Sequence, residues 1–101
     1  MNNIEYRAED FLFGSTKEIS KALADRVKSL RKQKRMTQEK FSEHIAIPFG
    51  TYKEFETNHK ISLEGFIKVC RGLDRVEDLF LLLKPKSIEE VGIAEWIDTR
   101  K

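Results

Sequence analysis

A chain of 101 residues with 40% apolar composition can close one modest hydrophobic core and not two, so one domain with short tails is expected. One cysteine, Cys70, and two histidines, His44 and His59, give neither a disulfide framework, nor a zinc-ligand spacing, nor a triad-like arrangement around a nucleophile. With no glycine-rich phosphate loop, no apolar run near the roughly 20 residues of a membrane span and no charged-then-apolar leader after Met1, the expectation is a cytoplasmic protein that is not an enzyme and uses no cofactor, metal or membrane.

In chain order, residues 1–14 read as an acidic N-terminal arm, whose Phe11-Leu12-Phe13 can pack on the domain or pair with another chain as a short strand. Ser15 and Glu18 have capping-box spacing, and Ile19, Leu23, Val27 and Leu30 recur every three or four residues. That predicts a first helix of four turns ending near Lys34. Thr37 caps a second helix, Gln38 to about Ile45, with Phe41 and Ile45 on one face. Pro48 favours an extended Ile47 and leads into a third helix, Phe49 to Glu56. There Tyr52 and Phe55 face inward, and Phe49, Gly50, Lys53 and Glu54 face outward. Asn58-His59 stops it, since both residue types tolerate a left-handed backbone.

Ser62 caps a fourth helix with Leu63, Phe66, Ile67 and Cys70 at helical spacing, and Gly72 ends it. Asp74 caps a fifth, containing Val76, Leu79, Phe80 and Leu83, which stops before Pro85. No run alternates at period two for long enough to make a core strand, so the fold class is all-α, with five short helices over residues 15–84. The tail, residues 85–101, repeats the capping-box spacing at Ser87 and Glu90 and carries Ile93, Trp96 and Ile97, either a fold-back helix or a sticky element for a partner.

The basic charge belongs to the middle of the chain. Residues 26–61 hold nine basic against four acidic side chains, and six of the ten from Arg26 to Arg35 are basic with none acidic. Such a run is either an ordinary solvated helix face or the electrostatic footprint of a polyanion. Lying ahead of two short helices joined by a tight turn, it suits the arrangement in which one helix enters a DNA major groove and its neighbour spans the backbone.

The stretch Leu30-Arg31-Lys32-Gln33-Lys34-Arg35-Met36-Thr37-Gln38-Glu39-Lys40-Phe41 closely resembles the opening of the phage repressor and Cro-like helix-turn-helix family. Gly50-Thr51-Tyr52-Lys53-Glu54-Phe55-Glu56, followed by Lys60-Ile61-Ser62-Leu63, is similar to the family's recognition helix and the entry to its fourth helix. The resemblance spans about residues 20–84 and implies a five-helix lambda repressor-like domain that binds double-stranded DNA as a homodimer. It implies that Gln38 contacts a phosphate and braces the recognition helix, and that Glu56 pairs with Arg31. The DNA-binding set it implies is Arg31, Lys32, Lys34, Arg35, Gln38, Phe49, Gly50, Thr51, Lys53 and Lys60, with base readout falling mainly to Lys53 and less to Thr51. Phe49 offers a base edge only apolar contact with a thymine methyl, or packs against Tyr52 instead, and Gly50 only lets the backbone approach. The chain departs from the family pattern at Ala46 and His59, where glycine is usual, and at Pro48 and Phe49, where polar residues are usual.

Within that family the layout is similar to the small antitoxin partners of HipA-like toxin kinases. Two functions of different class follow. One is a sequence-specific transcriptional regulator, a dimeric repressor and autoregulating antitoxin. The other is a protein-interaction module that neutralises a toxin kinase, with DNA binding secondary. RNA binding is disfavoured by the scarcity of aromatics available for base stacking.

Overall fold

The computed structural model describes residues 8–85. These form six helices and no strand: α1 (Ala8–Phe13), α2 (Thr16–Gln33), α3 (Gln38–His44), α4 (Phe49–Asn58), α5 (Leu63–Gly72) and α6 (Val76–Leu81). The described chain is thus mostly helical, as expected, and α2 to α5 begin and end within two residues of their predicted bounds.

Side-chain chemistry starts three of these helices. At α2, Ser15 Oγ accepts from the Glu18 N–H at 3.1 Å while Glu18 Oε1 accepts from the Ser15 N–H at 2.8 Å, a complete capping box. Thr37 Oγ1 accepts from the Lys40 N–H at α3, and Ser62 Oγ from the Gly65 N–H at α5. α4 follows Pro48 directly, with no side-chain cap.

The helix ends share one device. After α2 the Met36 and Arg35 N–H groups return to the carbonyls of Arg31 and Lys32; after α3, Ile47 and Ala46 return to Ser42 and Glu43; after α5, Arg75 and Asp74 return to Cys70 and Arg71. These are Schellman motifs, which require a left-handed residue just past the helix. Arg35, Ala46 and Asp74 fill that position with φ of 60°, 59° and 60°, and His59 closes α4 with φ 65°. Asp74 is therefore not the cap predicted for the last helix. It terminates α5, and α6 starts at Arg75 without a side-chain cap hydrogen bond.

The core lies between α2, α3, α4 and α5, where Phe41, Tyr52 and Val69 are wholly buried among Ala24, Val27, Ile45, Ile47, Phe55 and Leu73. Phe41 and Tyr52 meet edge to face, with centroids 5.2 Å apart at 67°. At Gly72 a Cβ would stand 2.2 Å from Ile45 Cγ2, so α5 reaches α3 through bare backbone.

Of the two alternatives for Phe11-Leu12-Phe13 the first is found: the segment is helical, in α1, and Phe11 packs on α2 beneath Arg26, 4.7 Å from its ring, while Leu12 and Phe13 remain exposed. Two other expectations change. On α5 Cys70 is buried and Phe66 packs against the core, as the spacing predicts, joined by Val69, while Leu63 and Ile67 are exposed. On α6 no residue is buried: Val76 and Phe80 face out, and Leu83 lies beyond the helix, which stops at Leu81. Fewer than two turns follow the Schellman turn at Asp74, so little of the stripe can swing inward. Ser87, Glu90, Ile93, Trp96 and Ile97 lie outside the described residues. No helix among the described residues is long and apolar enough to cross a membrane.

Candidate functional site

The most elaborate polar structure among the described residues is built on Glu56, on the inner side of α4. Its carboxylate collects four donors: Arg31 Nε to Oε2 at 2.8 Å, Arg31 Nη2 to Oε1 at 3.2 Å, Gln38 Nε2 to Oε1 at 2.8 Å, and the Tyr52 hydroxyl to Oε2. Arg31 Nη1 also donates to the Met36 carbonyl at 2.7 Å, which ties the cluster to the turn before α3. The Arg31 and Glu56 side chains are only 7% and 3% exposed.

Two such buried charges are stable only when their hydrogen-bonding capacity is filled. It is filled here. Burial works against the charged form of Glu56, but the bonds from Arg31, Tyr52 and Gln38 outweigh it and hold the carboxyl below its usual range. Burial, then the bond it donates to Glu56, pushes the Tyr52 hydroxyl well up and keeps it a donor. The cluster locks α4 to the end of α2 and the start of α3. The implied pairing of Glu56 with Arg31, and the bracing role of Gln38, correspond to contacts in the structure. The Tyr52 hydroxyl was missed as a partner, although its i, i+4 spacing to Glu56 carried the signal.

The opposite face of α4 is bare. Phe49 is 42% exposed, and Lys53 Nζ lies 5.9 Å from its ring centroid. Thr51, Lys53 and Glu54 are exposed, and a Cβ added at Gly50 would meet no atom within 4 Å. Phe49 lies outside the core cluster, partly exposed and partly covered by the neighbouring Lys53 side chain.

The basic candidates divide. Lys32 and Arg35 are exposed at the end of α2. Lys34 is exposed too, with Nζ 2.9 Å from Asp74 Oδ2 across the start of the α5–α6 turn. That hydrogen bond holds the Asp74 carboxyl below its ordinary range. Arg31 is a correction to the DNA-binding set, because its guanidinium is buried and fully engaged by Glu56 and Met36. Lys60 is displaced from the rest, lining a groove with Thr16, Lys17 and Ser20, and Lys17 and Lys32 stand about four turns apart on α2.

What remains is a firmly backed helix face beside exposed cations, of which Lys34 is paired with Asp74, an arrangement suited to a polyanion. Among the described residues, no group of His, Cys, Asp and Glu is placed to hold a metal ion. The Cys70 thiol is buried, and burial pushes it up, away from the reactive thiolate. Compared with protein-family models, with curated proteins and with solved structures, the chain finds no match.

Proposed function

We propose that this protein is a sequence-specific DNA-binding transcriptional regulator of the helix-turn-helix type, with α3 and α4 as the motif and α4 as the recognition helix. The observation that carries this reading is the two-sidedness of α4: Glu56 fastens its inner side to α2 and α3, while Phe49, Gly50, Thr51 and Lys53 stand free on the outer side. A helix that reads bases must be held by its back, because side chains reaching into the groove cannot also anchor it.

In the proposed complex Lys53 and Thr51 reach base edges, and Phe49 contacts a thymine methyl. Lys32, Lys34 and Arg35 neutralise phosphates, Lys34 exchanging its Asp74 partner for one. The Gln38 amide braces α4 through one N–H and keeps a second for the backbone. Lys60 is left outside the docking face. The protein acts as a homodimer on an operator, and its narrower form is an autoregulating antitoxin beside a HipA-like toxin kinase, checked by co-purification with the product of any neighbouring kinase gene.

The direct test is binding to duplex DNA as a function of salt. With four to eight phosphate contacts per complex, affinity falls by about 10² to 10⁴ between roughly 50 and 200 mM salt. Binding that ignores salt, or none at low salt, overturns the reading.

A further inference from the structure

α4 carries three aromatic side chains, and two of them, Tyr52 and Phe55, are buried in the core. Phe49, at the first position of the helix, is 42% exposed and lies outside that cluster. One exposed phenylalanine needs no explanation by itself, but this one is held in a defined place. Pro48 before it locks the chain at φ −54°, and the Pro48 carbonyl accepts the Tyr52 N–H at 3.0 Å, which closes the first turn. One turn on, the Lys53 ammonium stands 5.9 Å from the ring centroid.

Next to Phe49 the surface is open, since a Cβ added at Gly50 would meet no atom within 4 Å. A ring beside a notch, with an ammonium over it, offers an apolar contact and a donor side by side. In a major groove the ring suits the C5-methyl group of a pyrimidine, and the ammonium suits guanine O6 and N7. Neighbouring bases stand about 3.4 Å apart along a strand, so two groups at the separation of Phe49 and Lys53 address adjacent base pairs. The methyl is the part of such a step that hydrogen bonds do not report. It distinguishes thymine from uracil, and 5-methylcytosine from cytosine, while the donors and acceptors of each edge stay the same.

We infer that Phe49 and Lys53 form one reader of a two-pair step, a 5-methylpyrimidine adjacent to guanine, so that the protein accepts 5-methylcytosine in place of thymine and responds to cytosine methylation. The inference rests on the regulator reading, with α4 in the major groove, and names the chemical group that this part of α4 recognises. Covering one methyl group changes affinity by about fourfold. The phosphate contacts are untouched by that change, so the salt dependence of binding stays the same.

The experiment starts from the duplex that the full chain selects out of a randomised pool, with affinity read by fluorescence anisotropy. Each thymine in turn is replaced by uracil, which deletes the methyl group alone. One thymine per half-site, beside a guanine, is expected to lose about fourfold on replacement. At that position 5-methylcytosine is expected to bind better than cytosine by the same factor. Both differences are expected to vanish in Phe49→Ala, whereas Lys53→Ala keeps them and loses the preference for the adjacent guanine. Phe49 lies outside the core cluster, so Phe49→Ala should melt with the wild type by circular dichroism; if it melts early, the base replacements on the wild type decide alone. Indifference to every uracil replacement overturns the inference, as does a methyl effect that survives Phe49→Ala in a folded protein, or one whose neighbour is not guanine. A chain that binds no duplex at low salt overturns the regulator reading and this inference together, whereas a selected sequence without a methyl effect overturns this inference alone.

Discussion

Arg31 and Glu56, twenty-five residues apart in sequence, meet through two hydrogen bonds of 2.8 and 3.2 Å with both side chains almost sealed from solvent. The pair is worth more to the architecture than its Coulomb attraction suggests. Removing either partner leaves the other charged and desolvated, which costs about 3–5 kcal/mol in buried pairs.

Glu56→Ala is therefore expected to lower the free energy of unfolding by about that amount in urea melts at neutral pH. The pH arm has a definite sign. The folded-state carboxyl of Glu56 lies below its ordinary range, so the stability it contributes is complete above the unfolded value of about 4.3 and is lost as pH falls through the folded one. Wild type should lose stability through this acid window more steeply than Glu56→Gln, whose residue at 56 does not titrate. Parallel curves for the two proteins would show that the carboxylate contributes nothing.

Gln38 and Lys53 should separate on DNA. Lys53→Ala is expected to cost roughly 1–3 kcal/mol on the preferred sequence and much less on random duplex. Gln38→Ala should weaken all duplexes alike and, because it strips Glu56 of a donor, also lower stability by about 1 kcal/mol. Titrations on a selected site and on scrambled DNA decide it. Equal losses from both changes on both duplexes would remove Lys53 from base readout.

Ala46 and His59 hold left-handed backbone at φ 59° and 65°. That conformation costs an L-residue about 1–2 kcal/mol, of which glycine's larger unfolded-state entropy offsets about 0.5–1. Ala46→Gly is thus expected to stabilise by about 0.5–1 kcal/mol, and His59→Gly by less, since histidine tolerates the region better than alanine. A lower urea midpoint for Ala46→Gly would contradict the Schellman turn described there.

The helix starts were legible because Ser15, Thr37 and Ser62 each bond a backbone N–H three residues on, a purely local event. The helix ends were placed within two residues and His59 was read as a left-handed stop, but the left-handed turns at Arg35, Ala46 and Asp74 were not legible, because these residues occupy a position that composition assigns to glycine, and hydrogen bonds to the preceding turn override that preference. Asp74 was consequently assigned to the wrong helix. Periodicity identified Phe41, Tyr52 and Phe55 as core but was silent on whether α6 has anything to pack against. The basic run was readable from composition only as charge, and it was the resemblance that singled out Arg31 as the partner of Glu56; the same resemblance also set Arg31 among the DNA contacts, which its burial against Glu56 excludes.

Gly50 sits in the first turn of α4 with empty space where a side chain would project. A Cβ can be added there without meeting another atom, and Thr51 and Lys53 are exposed, Lys53 reaching only over the Phe49 ring. Because the scaffold is gripped at Glu56, on the far side of the helix, preference for one sequence over another can drift by single substitutions that leave stability untouched. The molecule thus separates what must be inherited from what is free to diversify, and most non-proline members of a library randomised at 50, 51 and 53 should fold.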